Sequence, residues 1–137
     1  MKVEQPQKEY HTSAHLVYSC QYHVIFCPKY RRKILVDAIY KRLVEIFAEI
    51  ATKHQFKIIE QEIMPDHIHL LIDVNPRFGI MQAVTKLKAV SSRTLRKEFP
   101  SLKTRLPSLW TRSTFISSVG AVTLEVVKRY IEEQKGK

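Results

Sequence analysis

No stretch of this sequence approaches the roughly 20 consecutive apolar residues that a membrane-spanning helix requires. The opening segment MKVEQPQKEYHTSAH has no apolar core of the kind a secretory signal carries. A cytoplasmic protein with no membrane partner is the expectation. Cysteine is scarce, with only Cys20 and Cys27 present. On one extended strand they would stand about 23 Å apart and on opposite faces, far beyond disulfide reach. Reduced packing residues are expected there. Acidic residues are also in short supply, 13 against 23 basic ones, which leaves a net charge of +10. That excess favours an acidic partner, nucleic acid first. The plainer alternative is a basic but ordinary surface. No basic amphipathic segment with aromatic anchors argues for a lipid surface. P-loop patterns, internal repeats, low-complexity tracts and linkers are all missing.

What is present suits one domain. The chain has 137 residues, 45% of them hydrophobic, enough for one core and little more. Residues 1–14 read as a loose polar arm. LVYSCQYHVIFC (16–27) alternates as a strand, with Tyr18, Cys20, Tyr22, Val24 and Phe26 on one face and Gln21, His23 and Ile25 on the other. PKYRRK (28–33) breaks it. Residues 36–55 read as a helix, with Ile39, Leu43, Ile46, Phe47 and Ile50 at helical spacing and Asp37 as cap. Strands follow at 56–64 and 67–74, separated by a Pro65-Asp66 turn. After the loop NPRFG (75–79), residues 80–99 form a basic helix. Residues 100–113 look irregular, 114–119 read as a short strand, and a last helix runs from 123 to 134 or 135, with Thr123 as cap. The order β-α-β-β-α-β-α contains the split βαββαβ pattern of ferredoxin-like, RRM-like α+β folds. Such a sheet has helices on one face and leaves the other open.

The strand MPDHIHLLIDV (64–74) holds two histidines. Alternation sends Ile68, Leu70, Ile72 and Val74 one way and His67, His69, Leu71 and Asp73 the other. The two imidazoles therefore share a face, with Cβ atoms roughly 7 Å apart, close enough to converge on one ion. Two solvent-facing histidines are the plainer reading. A third ligand must come from elsewhere, and His23 and Asp73 are candidates by position. On the last helix, Tyr130 and Gln134 stand at i and i+4 and so share a face. Tyr130 is a candidate oxygen nucleophile and Gln134 a hard amide ligand. In isolation, a tyrosine on such a helix is more often a packing residue.

Together YHVIFCPKYRRKIL (22–35), EIMPDHIHLLIDV (62–74), LWTRSTFISSVG (109–120) and VVKRYIEEQ (126–134) resemble the small single-tyrosine transposases of the HUH superfamily, the IS200-like family of compact insertion sequences. The pieces occur in the family's order. There are two departures, Thr114 where an aromatic is usual and no glycine within LKAVSS. The resemblance implies His67, His69 and Gln134 as ligands of a divalent metal, magnesium or manganese. It implies Tyr130 as the nucleophile that forms a 5′-phosphotyrosine and frees a 3′-OH. It implies single-stranded DNA with end hairpins as substrate, and a homodimer with composite sites, His67 and His69 from one chain and Tyr130 from the other. Gly120 would be the hinge. Lys29, Arg31, Arg32, Lys33, Lys86, Lys88 and Arg93 would meet phosphates, and Tyr30, Phe78 and Trp110 would stack on bases. His23 reads as structural. Two other functions compete. A non-catalytic ferredoxin-like nucleic-acid-binding module would explain fold and charge but give the two histidines, Tyr130 and Gln134 no purpose. A metal-dependent hydrolase using water would not need Tyr130.

Overall fold

The computed structural model describes residues 11–13, 16–54, 56–119 and 124–137. The expectations for residues 1–10, the Gly120 hinge and the Thr123 cap lie outside them. Among the described residues, six strands and four α-helices follow in the order β1 (His11–Ser13), β2 (Leu16–Tyr18), β3 (Gln21–Phe26), α1 (Asp37–Lys53), β4 (Phe56–Met64), β5 (His67–Val74), α2 (Ile80–Glu98), α3 (Pro100–Arg105), β6 (Phe115–Ser118) and α4 (Leu124–Glu133), with a 3-10 turn at Lys29–Arg31. Strands β3 to β6 make one antiparallel sheet in the order β4-β5-β3-β6. This is the expected split arrangement, with β3 and β5 at the centre.

The core follows from period-2 alternation in the strands and period-3.6 spacing in the helices. Val24 and Phe26 of β3 and Ile68, Leu70, Ile72 and Val74 of β5 face one layer, built from Leu43, Ile46, Phe47 and Ile50 of α1 and Ala83, Val84, Leu87 and Leu95 of α2. Gly79 precedes α2 at φ 88°, a left-handed angle that glycine adopts at little cost. The other face carries Gln21, His23 and Ile25 of β3 and His69, Leu71 and Asp73 of β5, all buried.

Four local expectations are corrected. Residues 16–27 are not one strand: pairing stops after Tyr18, and β2 instead forms a separate two-stranded sheet with β1, inside the segment read as a loose arm. Residues 100–105 are helical rather than irregular, because Pro100 sits in the first turn, where a missing N–H is harmless. Asp37 does not cap α1. It is the first helical residue, at φ 52°, and Val36 holds the cap position without a side-chain bond. The second sheet face is not open throughout, since Val127, Tyr130 and Ile131 of α4 pack over Ile25 and Phe115.

Candidate functional site

The β4–β5 hairpin sets the first half of the site. Pro65 and Asp66 make its turn, and His67 begins β5 opposite Met64. Asp66 Oδ1 accepts a hydrogen bond from Nδ1 of His67 at 2.7 Å. A carboxylate there selects the Nδ1–H tautomer and leaves the Nε2 lone pair available. His69 follows on the same face, paired across the sheet with Ile25 and Glu62. Its ring stacks on His23 at 5.1 Å, with His69 Nε2 and His23 Nδ1 2.9 Å apart, one donating to the other. Burial, and then the neighbouring His23 and His67, lowers the His69 pKa to about 4. The ring is neutral at pH 7, the form that can ligate a metal.

Helix α4 sets the second half. Val127, Tyr130, Ile131 and Gln134 recur at i, i+3, i+4 and i+7, the spacing of a single face. The Tyr130 ring packs on Phe115 with centroids 5.3 Å apart, and its hydroxyl shares a 2.8 Å hydrogen bond with Ser113 Oγ. Burial holds its pKa above the ordinary value, partly offset by the Ser113 bond. The phenol is thus protonated at neutral pH. Gln134 follows the end of α4 and is 3% exposed, and its Oε1 is buried without a hydrogen-bond partner.

That unpaired oxygen bears on the metal expected from the family resemblance. Among the described residues, no three of His, Cys, Asp and Glu are grouped so as to hold an ion. Neither His23 nor Asp73 therefore completes a site with His67 and His69. An amide oxygen from Gln134 lies outside that set of residue types. A buried acceptor left unpaired is a costly arrangement unless something is meant to meet it. By donor type, the two imidazoles and the unpaired Gln134 Oε1 suit a divalent ion, with His69 Nε2 engaged by His23 in this structure. Two imidazoles and an amide oxygen accommodate magnesium or manganese when water fills the remaining positions.

The cations expected to meet phosphates divide into two groups. Arg32, Lys33, Lys86 and Arg93 are exposed, and Lys29 is half-buried with its ammonium 5.2 Å from the centre of the exposed Tyr30 ring. Arg31 and Lys88 point inward. Arg31 Nε pairs with Asp66 Oδ2 at 3.1 Å, and its Nη1 donates to the Ile131 carbonyl and to Glu132. Lys88 Nζ donates to the carbonyls of Thr111 and Ser113 and to Thr114 Oγ1, at 2.7, 3.3 and 2.9 Å, and burial lowers its pKa to about 8. The aromatics divide similarly. Trp110 belongs to the core, edge-on to Phe26 and donating to Ser91 Oγ, while Phe78 stacks between His54 and Phe56. Only Tyr30 of the three is exposed.

Three contributors escaped the sequence reading. Asp66 was read only as a turn residue, although its place beside His67 was a signal. Ser113 and the inward role of Lys88 had none, because each depends on a partner far along the chain.

Known proteins resemble this chain in sequence and in fold. Residues 16–134 match the family described as IS200-like transposase. The chain is 37% identical over 123 residues to the ISDra2 transposase TnpA of Deinococcus radiodurans, covering 88% of both proteins. It is 30% identical over 127 residues to the IS200 transposase of Salmonella typhimurium, covering 89% of this chain and 84% of that one. A crystal structure of a Deinococcus radiodurans protein described as a transposase superposes with a TM-score of 0.84 at 34% identity, covering 93% of this chain and 99% of that one. A REP-associated tyrosine transposase, solved with a REP hairpin bound, shares the fold at a TM-score of 0.54 and 12% identity, over 88% of this chain and 69% of that one. No helix among the described residues is long and apolar enough to cross a membrane. The chain belongs to the IS200-like transposase family.

Proposed function

We propose that this protein is a DNA-processing enzyme that cleaves and rejoins single-stranded DNA at insertion-sequence ends, with Tyr130 as nucleophile. The phenolic oxygen attacks phosphorus and the bond to the 3′ oxygen breaks. A 5′-phosphotyrosine and a free 3′-OH result. The phenol loses its proton and the departing oxygen gains one. The covalent link conserves the phosphodiester bond energy, so a second 3′-OH can reverse the step without a nucleotide cofactor. Ser113 holds the phenol by its hydroxyl before the reaction, and the half-buried phenol enters the step protonated. His67, His69 and Gln134 would hold magnesium or manganese, which when bound polarises the scissile phosphate.

The observation that carries this reading is the unpaired buried oxygen of Gln134, one helical turn from Tyr130 and following a helix that packs on the histidine-bearing sheet face. A binding module would have no use for it. The exposed Arg32, Lys33, Lys86 and Arg93 are the phosphate contacts of this reading. The hairpin held by the REP-associated relative supports hairpin-bearing DNA as substrate. The working form is read as a homodimer that shares its sites by exchanging α4 between chains, whereas here α4 packs on its own chain's sheet. β6 is an outer strand of the sheet, an edge that a second copy could extend.

The test uses a labelled single-stranded oligonucleotide carrying the DNA that flanks the coding sequence, with magnesium or manganese, resolved on a denaturing gel. A denaturation-stable protein–DNA adduct that disappears in Tyr130→Phe supports the proposal. Metal-dependent cleavage that survives Tyr130→Phe makes water the nucleophile and refutes it.

A further inference from the structure

Arg31 makes contacts that a phosphate-binding arginine would not. Its side chain is 15% exposed, against an exposed Arg32 beside it. One end meets Asp66 Oδ2 at 3.1 Å, and the other carboxylate oxygen of Asp66 holds Nδ1 of His67 at 2.7 Å. Its Nη1 reaches α4, donating to the Ile131 carbonyl at 3.2 Å and to Glu132 Oε2 at 3.4 Å. A cation at those last carbonyls also complements the negative end of the helix dipole. The backbone is bent to make this reach. Tyr30 and Arg31 lie consecutively in the left-handed region, at φ 59° and 51°. For non-glycine residues this is strained and persists only where the surroundings enforce it. The enforcement is visible. Lys29 N donates to the Leu109 carbonyl, Arg31 N to Pro28, and Leu35 N to the Pro65 carbonyl in the hairpin turn.

We propose that Arg31 is a positioning residue that joins two halves of the site, tethering the carboxyl-terminal turn of α4 while holding Asp66 in the orientation that fixes the His67 tautomer. The inference rests on the reading of α4 as the helix that carries the nucleophile, but the tether itself does not depend on catalysis. Among the described residues, the packed face of α4 is centred on Val127 and Ile25. Removing Arg31 therefore loosens α4 and releases His67 together. Removing Asp66 releases His67 while leaving Arg31 its bonds to α4. Lysine keeps the charge but has no fork to bridge two sites at once.

The experiment needs no DNA or metal. Amide hydrogen exchange is followed in residues 124–133 of the full chain, and the imidazole 15N shifts of His67 are recorded at fixed neutral pH. The proteins are wild type, Arg31→Ala, Arg31→Lys, Asp66→Asn and Arg32→Ala. Arg31→Ala should speed exchange in α4 about tenfold or more and move the His67 shifts from the Nδ1–H tautomer toward a mixture. Arg31→Lys should recover part of the α4 protection. Asp66→Asn should change the His67 shifts with little change in α4, and Arg32→Ala should change neither. If α4 exchange in Arg31→Ala matches wild type, or if His67 keeps its tautomer in both Arg31→Ala and Asp66→Asn, the proposal is overturned. Failure of the adduct assay would sink the functional reading and leave these two readouts unaffected.

Discussion

Replacing Gln134 by leucine should make the isolated protein more stable and the metal-bound protein less so. The side chain is 3% exposed and its Oε1 has no hydrogen-bond partner. An unsatisfied buried polar atom costs about 1–3 kcal/mol. Leucine has a similar size, lacks the polar atom and suits a face already occupied by Val127 and Ile131. The backbone bonds at this turn, Gln134 N to the Ile131 carbonyl and Lys137 N to the Gln134 carbonyl, do not involve the side chain. The net gain without metal should be about 1 kcal/mol, the low end of the range. With a urea slope near 2 kcal/mol per molar, the unfolding midpoint rises by about 0.5 M.

Manganese should reverse the order. A ligand present at about 100 times its dissociation constant stabilises the native state by about 2.7 kcal/mol, and each tenfold loss of affinity removes about 1.4 kcal/mol of that. If Gln134 is a ligand, Gln134→Leu loses most of the gain, and wild type becomes the more stable protein. The assay is urea unfolding of both proteins in a chelator and in manganese. Crossing of the two stabilities is the signature. A variant weaker in both conditions would mean that the amide is satisfied and merely packs. A variant stronger in both, with an undiminished manganese increment, would remove Gln134 from the ligand set.

Four further outcomes are expected. Burial lowers the Lys88 pKa from 10.5 to about 8, so the folded state sheds this proton before the unfolded chain does and stability rises as pH passes 8. Above pH 9 the buried Cys27 thiol, pushed up to about 12, pulls the other way. Urea titrations of wild type should therefore gain at most ~1 kcal/mol between pH 8 and 9 after solvent screening, and Lys88→Met should show no such gain. Phe47→Ala, deep in the helix-side core, should cost about 3–5 kcal/mol in the same titration. Arg93→Ala should lower the slope of log affinity against log salt for single-stranded DNA by about 0.7, while Arg31→Ala leaves that slope unchanged. Mixed with a His67→Ala His69→Ala double variant, Tyr130→Phe should recover adduct formation if sites are shared across a homodimer. Two inactive proteins that stay inactive when mixed would place each site within one chain.

The sheet was legible because its strands carry a period that local sequence can express. Tyr22, Val24 and Phe26 against His23 and Ile25, and Ile68, Leu70 and Ile72 against His69 and Leu71, separate into the two faces that the structure shows. The i, i+4 spacing of Tyr130 and Gln134 was legible for the same reason. What could not be read were the partners of charged groups. Arg31 and Arg32 are adjacent and chemically alike, yet one is tied to Asp66 and α4 while the other is exposed. The difference arises from a left-handed backbone pair at Tyr30 and Arg31 that contains no glycine to announce it. Lys86 and Lys88 lie two apart on one helix, and an advance of two residues turns the side chain through roughly 200°. That rotation takes Lys88 from the exposed side to the carbonyls of Thr111 and Ser113. Net charge therefore overstates the surface available to DNA. Two cations that the family resemblance assigns to phosphate are spent inside the fold, one holding the helix that carries Tyr130 and the other holding the segment whose Ser113 bonds its hydroxyl.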